Sequence, residues 1–175
     1  MTGENCPISP RAARIPPFMV MEVMERAKAL EEKGKEIIHL EVGEPDFETP
    51  DCIREAGIRA IREGKTRYSH SLGLPALREA ICDEYRREYD GAISAARIIV
   101  TSGTSPAMFL LFAALLDTGD EVIISDPHYA CYPSFVEFLG GKVSYVTVRE
   151  EAGFQIQPEE IAAQIGPQTR GIVIN

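Results

Sequence analysis

The segment best suited to chemistry is Thr101-Ser102-Gly103-Thr104-Ser105-Pro106-Ala107. It lies between an apolar run, Ile98 to Val100, and a strongly apolar stretch from Pro106 to Leu116. Gly103 permits a tight turn and lets a ligand approach the backbone closely. Thr104 and Ser105 add hydroxyl groups. The first-turn N–H groups of a following helix, together with its dipole, favour an anion. Pro106 suits a first helical turn. The combination makes a phosphate cradle without a positive charge. Alone, the segment has a commoner meaning, an ordinary strand–helix turn with a Ser/Thr cap. It is neither a P-loop nor a dinucleotide fingerprint, because no Gly-Lys-Ser/Thr follows.

Three further segments carry candidate groups. In Val42-Gly43-Glu44-Pro45-Asp46-Phe47, Gly43 follows a predicted strand and can offer its N–H to a ligand carboxylate. A plain turn explains it equally well. Asp126-Pro127-His128-Tyr129-Ala130-Cys131-Tyr132 also follows a strand. An aromatic there can stack on a planar ring at the sheet's carboxyl edge, although helix-start packing is the commoner role. Tyr68 sits in Lys65-Thr66-Arg67-Tyr68 with Gly73 and Arg78 downstream, and alone reads as a loop tyrosine with a basic flank. His39, His70 and His128 lack metal-ligand spacing and read as packed or solvated. No Cys/His zinc pattern and no GxSxG elbow occurs, so no metal ligand is assigned.

The elements that must position these groups alternate. Residues 1–17 hold Pro7, Pro10, Pro16 and Pro17 and read as an extended arm. Val20, Val23, Met24, Ala27 and Leu30 follow helical spacing, ended at Gly34. Ile37 to Val42 alternates like a short strand. Thr49-Pro50 predicts an N-cap with proline at the first helical position, and Gly64 closes that helix. Another helix is predicted from Pro75. From Arg97 onward, strands are predicted at 98–100, 121–125, 143–148 and 171–175. Helices are predicted at 106–116, 129–139 and 158–165. Strands alternating with helices predict an α/β fold, a mainly parallel sheet flanked by helices. Continuous apolar strands fit a sheet covered on both faces. Ligands of such sheets bind beyond the carboxyl ends of the strands. The sequence stops one residue after Ile172-Val173-Ile174, where a site-forming loop is expected to begin.

Composition narrows the function. The 175 residues carry 18 Lys+Arg against 27 Asp+Glu, a net charge of −9, and 45% are hydrophobic. Such usage excludes a mainly disordered or fibrous chain. The acidic balance argues against nucleic acid as the main partner. The longest apolar run, Ala107 to Leu116, is ten residues, far below a membrane span. No secretory signal is read at the N-terminus. Cys6, Cys52, Cys82 and Cys131 form no CxxC pair and suggest reduced thiols in a cytoplasm.

Taken in order, the segments resemble the N-terminal part of class I/II aminotransferases, the fold-type I pyridoxal-phosphate enzymes. The matching text begins with Gly43-Glu44-Pro45-Asp46-Phe47 followed by Thr49-Pro50, then Gly64-Lys65-Thr66-Arg67-Tyr68, and Gly73 with Leu77-Arg78. It continues with Val100-Thr101-Ser102-Gly103, Gly119-Asp120-Glu121-Val122, Pro127 to Tyr132, and Gly140-Gly141. Each motif is weak alone; seven in order and spacing are specific. The resemblance covers the chain from about Arg14 to Asn175.

The resemblance implies pyridoxal 5'-phosphate as cofactor and, in the intact enzyme, amino transfer between an L-amino acid and a 2-oxo acid. It implies that Gly103, Thr104 and Ser105 bind the cofactor phosphate, that Tyr129 stacks on the pyridine ring, and that Gly43 lies by the substrate carboxylate. It implies a homodimer in which Tyr68 reaches the phosphate of the partner's cofactor. Residues 1–46 would be an N-terminal arm and small-domain segment, and 47–175 the incomplete large cofactor-binding domain. The Ser-Pro-x-Asn-Pro-Thr-Gly loop, the pyridine-pairing aspartate and the Schiff-base lysine find no match, so no catalytic residue is assigned and this chain alone is expected to be inactive. Alternatives are a non-catalytic fragment, a related pyridoxal-phosphate lyase on the same fold, and, more weakly, a generic nucleotide-binding α/β domain.

Overall fold

The computed structural model describes residues 8–175, so Cys6, Pro7 and the start of the arm lie outside the described residues. The chain divides into two compact units, residues 43–102 and the remainder.

In the larger unit, β1 (Glu121–Asp126), β2 (Lys142–Thr147) and β3 (Thr169–Val173) form a parallel sheet in the order β2-β1-β3. β1 pairs with β2 in unbroken register from Glu121↔Lys142 to Asp126↔Thr147. Its pairing with β3 shifts between Glu121 and Val122. The helices are α1 (Met19–Glu31), α4 (Thr104–Leu115), α5 (Cys131–Phe138) and α6 (Pro158–Gln164). The central strand is apolar at Val122-Ile123-Ile124 because both of its faces are covered there. Val122, Ile123 and Ile124 are completely buried. Successive strand residues point to opposite faces. Val122 and Ile124 accordingly join Phe112 of α4, Val136 of α5 and Val173 of β3 in one cluster, with Met108, Tyr132 and Phe135 packed against it. Between α5 and β2 the chain turns sharply at Gly140-Gly141. A Cβ on Gly141 would meet Val136 Cγ1 at 2.9 Å and the Val136 carbonyl oxygen at 3.2 Å, so only glycine fits.

In the unit of residues 43–102, α2 (Asp51–Arg62) and α3 (Pro75–Tyr89) are followed by a 3-10 turn at Ala95–Arg97. Arg78 donates from Nη1 to the Ala95 carbonyl at 2.9 Å, tying α3 to that turn. Pro75 occupies the first turn of α3, where its missing N–H is harmless.

Several elements differ from the sequence expectation. Ile37 to Val42 forms no strand, and Ile38 and Leu40 are 84% and 88% exposed. Alternation signals a strand only where a neighbouring strand accepts its hydrogen bonds, and none pairs with it among the described residues. Ile98 to Val100 is extended but joins no sheet; the Val100 N–H donates instead to the Leu72 carbonyl at 3.0 Å. The sheet therefore has three strands rather than four among the described residues. The cap of α2 is Pro50, not Thr49, and no side chain caps it. The arm includes a 3-10 turn at Ala12–Arg14, whose Ala12 N–H donates to Ser9 Oγ at 3.1 Å. α5 starts at Cys131, which leaves Tyr129 in the loop before it.

Candidate functional site

α4 opens on Gly103, whose φ of 120° and ψ of 173° lie where side chains other than glycine's are strained. A Cβ there would meet only Pro106 Cδ, at 4.0 Å. The requirement for glycine is conformational, and the space before the helix is open. No side chain caps α4, and its first turn contains no acidic residue. Thr104 and Ser105 are exposed within that turn. A helix start with these properties suits an anion. α4 runs back against β1 and β3 through Met108 and Phe112 before the chain enters β1 at Glu121. A helix returning antiparallel to its strands brings its N-terminus to their carboxyl edge, the ligand side of an open α/β sheet.

The same edge carries the loop after β1. Ser125, 8% exposed, donates from Oγ to the Pro127 carbonyl at 2.9 Å. The Asp126–Pro127 peptide is cis. Tyr129 follows, 43% exposed, and its ring makes T-shaped contacts with two others. Phe18, just before α1, stands at 6.3 Å and 68°, and Tyr132 at 5.3 Å and 64°. The ring keeps 43% of its surface exposed, which a planar ligand can reach. The Tyr129 hydroxyl is held above the usual tyrosine range, first by its hydrogen bond with Cys131, then by the charge that thiol can carry, and then by partial burial. It stays a neutral phenol at physiological pH. Tyr132 donates its hydroxyl to Asn175 Oδ1 at 3.2 Å, which links this loop to the chain just after β3. His128 points elsewhere, with its ring 5.4 Å from that of Tyr145.

Gly103, Thr104, Ser105 and Tyr129 thus belong to one unit. Tyr68 and Gly43 belong to residues 43–102. Tyr68 is fully exposed in the loop between α2 and α3. Gly43 is exposed, and an added Cβ would meet nothing within 4 Å. Sequence reasoning gave no role to Phe18 or Tyr132. For Tyr132 the spacing of three residues from Tyr129 was the available signal, because one helical turn brings such side chains together.

A family model described as aminotransferase class I and II matches residues 35–175. The chain belongs to that family. It is 40% identical over 168 residues to the aspartate/prephenate aminotransferase of Thermus thermophilus, covering 96% of this chain and 44% of that protein. Among solved structures, an aspartate aminotransferase from Thermus thermophilus with maleate superposes at a TM-score of 0.92 with 39% identity, over 96% of this chain and 44% of the other. An alanine aminotransferase from Pyrococcus furiosus gives 0.88 with 36% identity, over 95% and 43%. The parallel sheet flanked by helices therefore has the fold of the fold-type I aminotransferases. The chain spans less than half the length of the curated relatives it matches.

Proposed function

We propose that the whole protein transfers an amino group between an L-amino acid and a 2-oxo acid, with pyridoxal 5'-phosphate as cofactor. The observation that carries this reading is the opening of α4, a left-handed glycine before a helix start with neither a side-chain cap nor an acidic residue in its first turn. Such a donor set fits a phosphate dianion. Family membership supports the cofactor in general terms.

Gly103, Thr104 and Ser105 would hold the phosphate through the first turn of α4 and two hydroxyls. Tyr129 would lay its ring against the pyridine, as a neutral phenol in contact with the rings of Phe18 and Tyr132. When bound, the cofactor supplies a sink for the electrons released at the α-carbon of the substrate. Gly43 would place its N–H by the substrate carboxylate. Tyr68 would reach the phosphate of the partner subunit's cofactor in a homodimer, a role consistent with its full exposure here. Residues 1–46 would serve as arm and small-domain segment, and 47–175 as part of the large domain. A cytoplasmic location suits Cys52, Cys82 and Cys131, which are free thiols. No helix among the described residues is long and apolar enough to cross a membrane.

The test uses the whole protein incubated with pyridoxal phosphate, a panel of L-amino acids and 2-oxoglutarate. Glutamate should accumulate together with the matching 2-oxo acid. Cofactor binding without transfer from any donor would overturn the proposed activity. Gly103→Val should weaken cofactor binding by at least about 10-fold, the equivalent of roughly 1.4 kcal/mol. Unchanged binding would remove Gly103 from the site.

A further inference from the structure

Tyr132 makes more contacts around the carboxyl edge than its lack of an assigned role suggests. Its half-buried ring packs on the core cluster of Phe112, Val122, Ile124, Val136 and Val173. Its backbone N–H donates to the Tyr129 carbonyl at 3.1 Å. Its ring meets that of Tyr129 edge-on at 5.3 Å. Its hydroxyl reaches beyond this pair to Asn175 Oδ1 at 3.2 Å. One side chain therefore spans from the core to an exposed ring, and from the loop after β1 to the residues after β3. These two strands are neighbours in the sheet.

We propose that Tyr132 is a positioning residue: it fixes the orientation of the Tyr129 ring and ties the chain after β1 to the chain after β3. Tyr129 is 43% exposed and in a loop, so its own burial does not hold its ring. Phe18 also meets the ring, but it precedes α1. Tyr132 is the partner that is itself anchored in the core. An aromatic braced in this way is oriented before any ligand arrives, which removes an ordering cost from binding. The consequence for pyridoxal phosphate rests on the function proposed above; the positioning itself does not.

The experiment incorporates 3-fluorotyrosine into the cofactor-free whole protein, with Tyr129→Phe used to assign the Tyr129 resonance. Tyr132→Leu keeps apolar volume and removes the brace. It should move the Tyr129 line toward the position of free tyrosine. Tyr132→Phe keeps the ring and removes the hydroxyl. It should leave the Tyr129 line in place and shift the side-chain amide resonances of Asn175. With pyridoxal phosphate added, Tyr132→Leu should raise the dissociation constant by about 10- to 30-fold, and Tyr132→Phe by about 2- to 5-fold, as loss of an aromatic pair and a hydrogen bond implies. A Tyr129 line unmoved by Tyr132→Leu would overturn the inference. Should that variant fail to fold, Tyr132→Phe decides: an unmoved Asn175 resonance overturns the tie. If the resonances respond as expected while the parent protein binds no pyridoxal phosphate, the positioning role stands and the cofactor reading fails.

Discussion

The two units differ most in what they bury. The sheet unit encloses five residues below 2% exposure, all Val or Ile, on β1, β2 and α5. In residues 43–102 the only residue below 9% exposure is Cys82. Their helices carry apolar residues too, but Ile53 and Ile61 of α2 stand 59% and 69% exposed. Helical periodicity is therefore present in both units, while a core is present in one. Periodicity specifies which face is apolar; only a facing element turns that face into stability.

Core substitutions should break the contrast most strongly. Phe112→Ala removes a ring that is 4% exposed against Val122 and Ile124, and should cost about 3–5 kcal/mol. Ile61→Ala in α2 removes an exposed side chain and should change stability by about 0.5 kcal/mol or less. Urea midpoints of the whole protein measure both, and equal losses would show that α2 buries its apolar face in the whole protein.

A glycine sharpens the picture of the smaller unit. Gly73 has φ of 97°, and a Cβ there would lie 2.6 Å from Val100 Cβ. Gly73→Ala combines strain with a clash and should cost about 1–3 kcal/mol. Arg78→Met should cost less, about 1–2 kcal/mol, through loss of its bond to the Ala95 carbonyl. Amide exchange around Ala95–Arg97 would register that loss locally even where the global midpoint barely moves.

The order of elements was legible in the sequence because β1, α4 and α5 are apolar in runs or stripes that only a two-sided sheet explains. Pro75 at the start of α3 and Gly64 after α2 were likewise legible, since each acts through its own backbone. Ile37 to Val42 and Ile98 to Val100 misled because a strand is a property of two chains, and their own alternation says nothing about a neighbour. In the site, Gly103 was legible as a turn glycine. The brace on Tyr129 was not, because a ring's edge contacts depend on tertiary placement of Phe18 and Tyr132. The start of α2 falls one residue later than Thr49-Pro50 suggests, because Pro50 has an extended ψ of 139° and the helix begins at Asp51.

The smallest effect concerns His39. Its ring nitrogens bond Glu41 Oε1 at 2.6 Å and Glu31 Oε1 at 3.0 Å. The hydrogen bond to Glu41, then that to Glu31, raises the imidazole above its usual 6.5. A raised folded value means that its stabilising contribution is complete below about 6.5 and is lost as pH rises through the folded value. Glu41 is shifted downward by the same contact, so its share is present above the ordinary carboxylate range and is lost as pH falls through its lowered value. A proton NMR titration of His39 should give a midpoint above 6.5 that returns toward it in Glu41→Gln. The group is solvent-accessible, so the effect should fade with added salt.

Gly103 has one consequence that reaches into synthetic chemistry. Its backbone has the mirror-image sign of an ordinary extended residue, so handedness, rather than size, is what excludes a side chain. A D-alanine installed there by chemical ligation adopts φ near +120° as its own extended conformation. L-alanine must be forced into it. The pair of stereoisomers has identical composition and volume, and differs only in whether the turn that opens α4 is relaxed or strained.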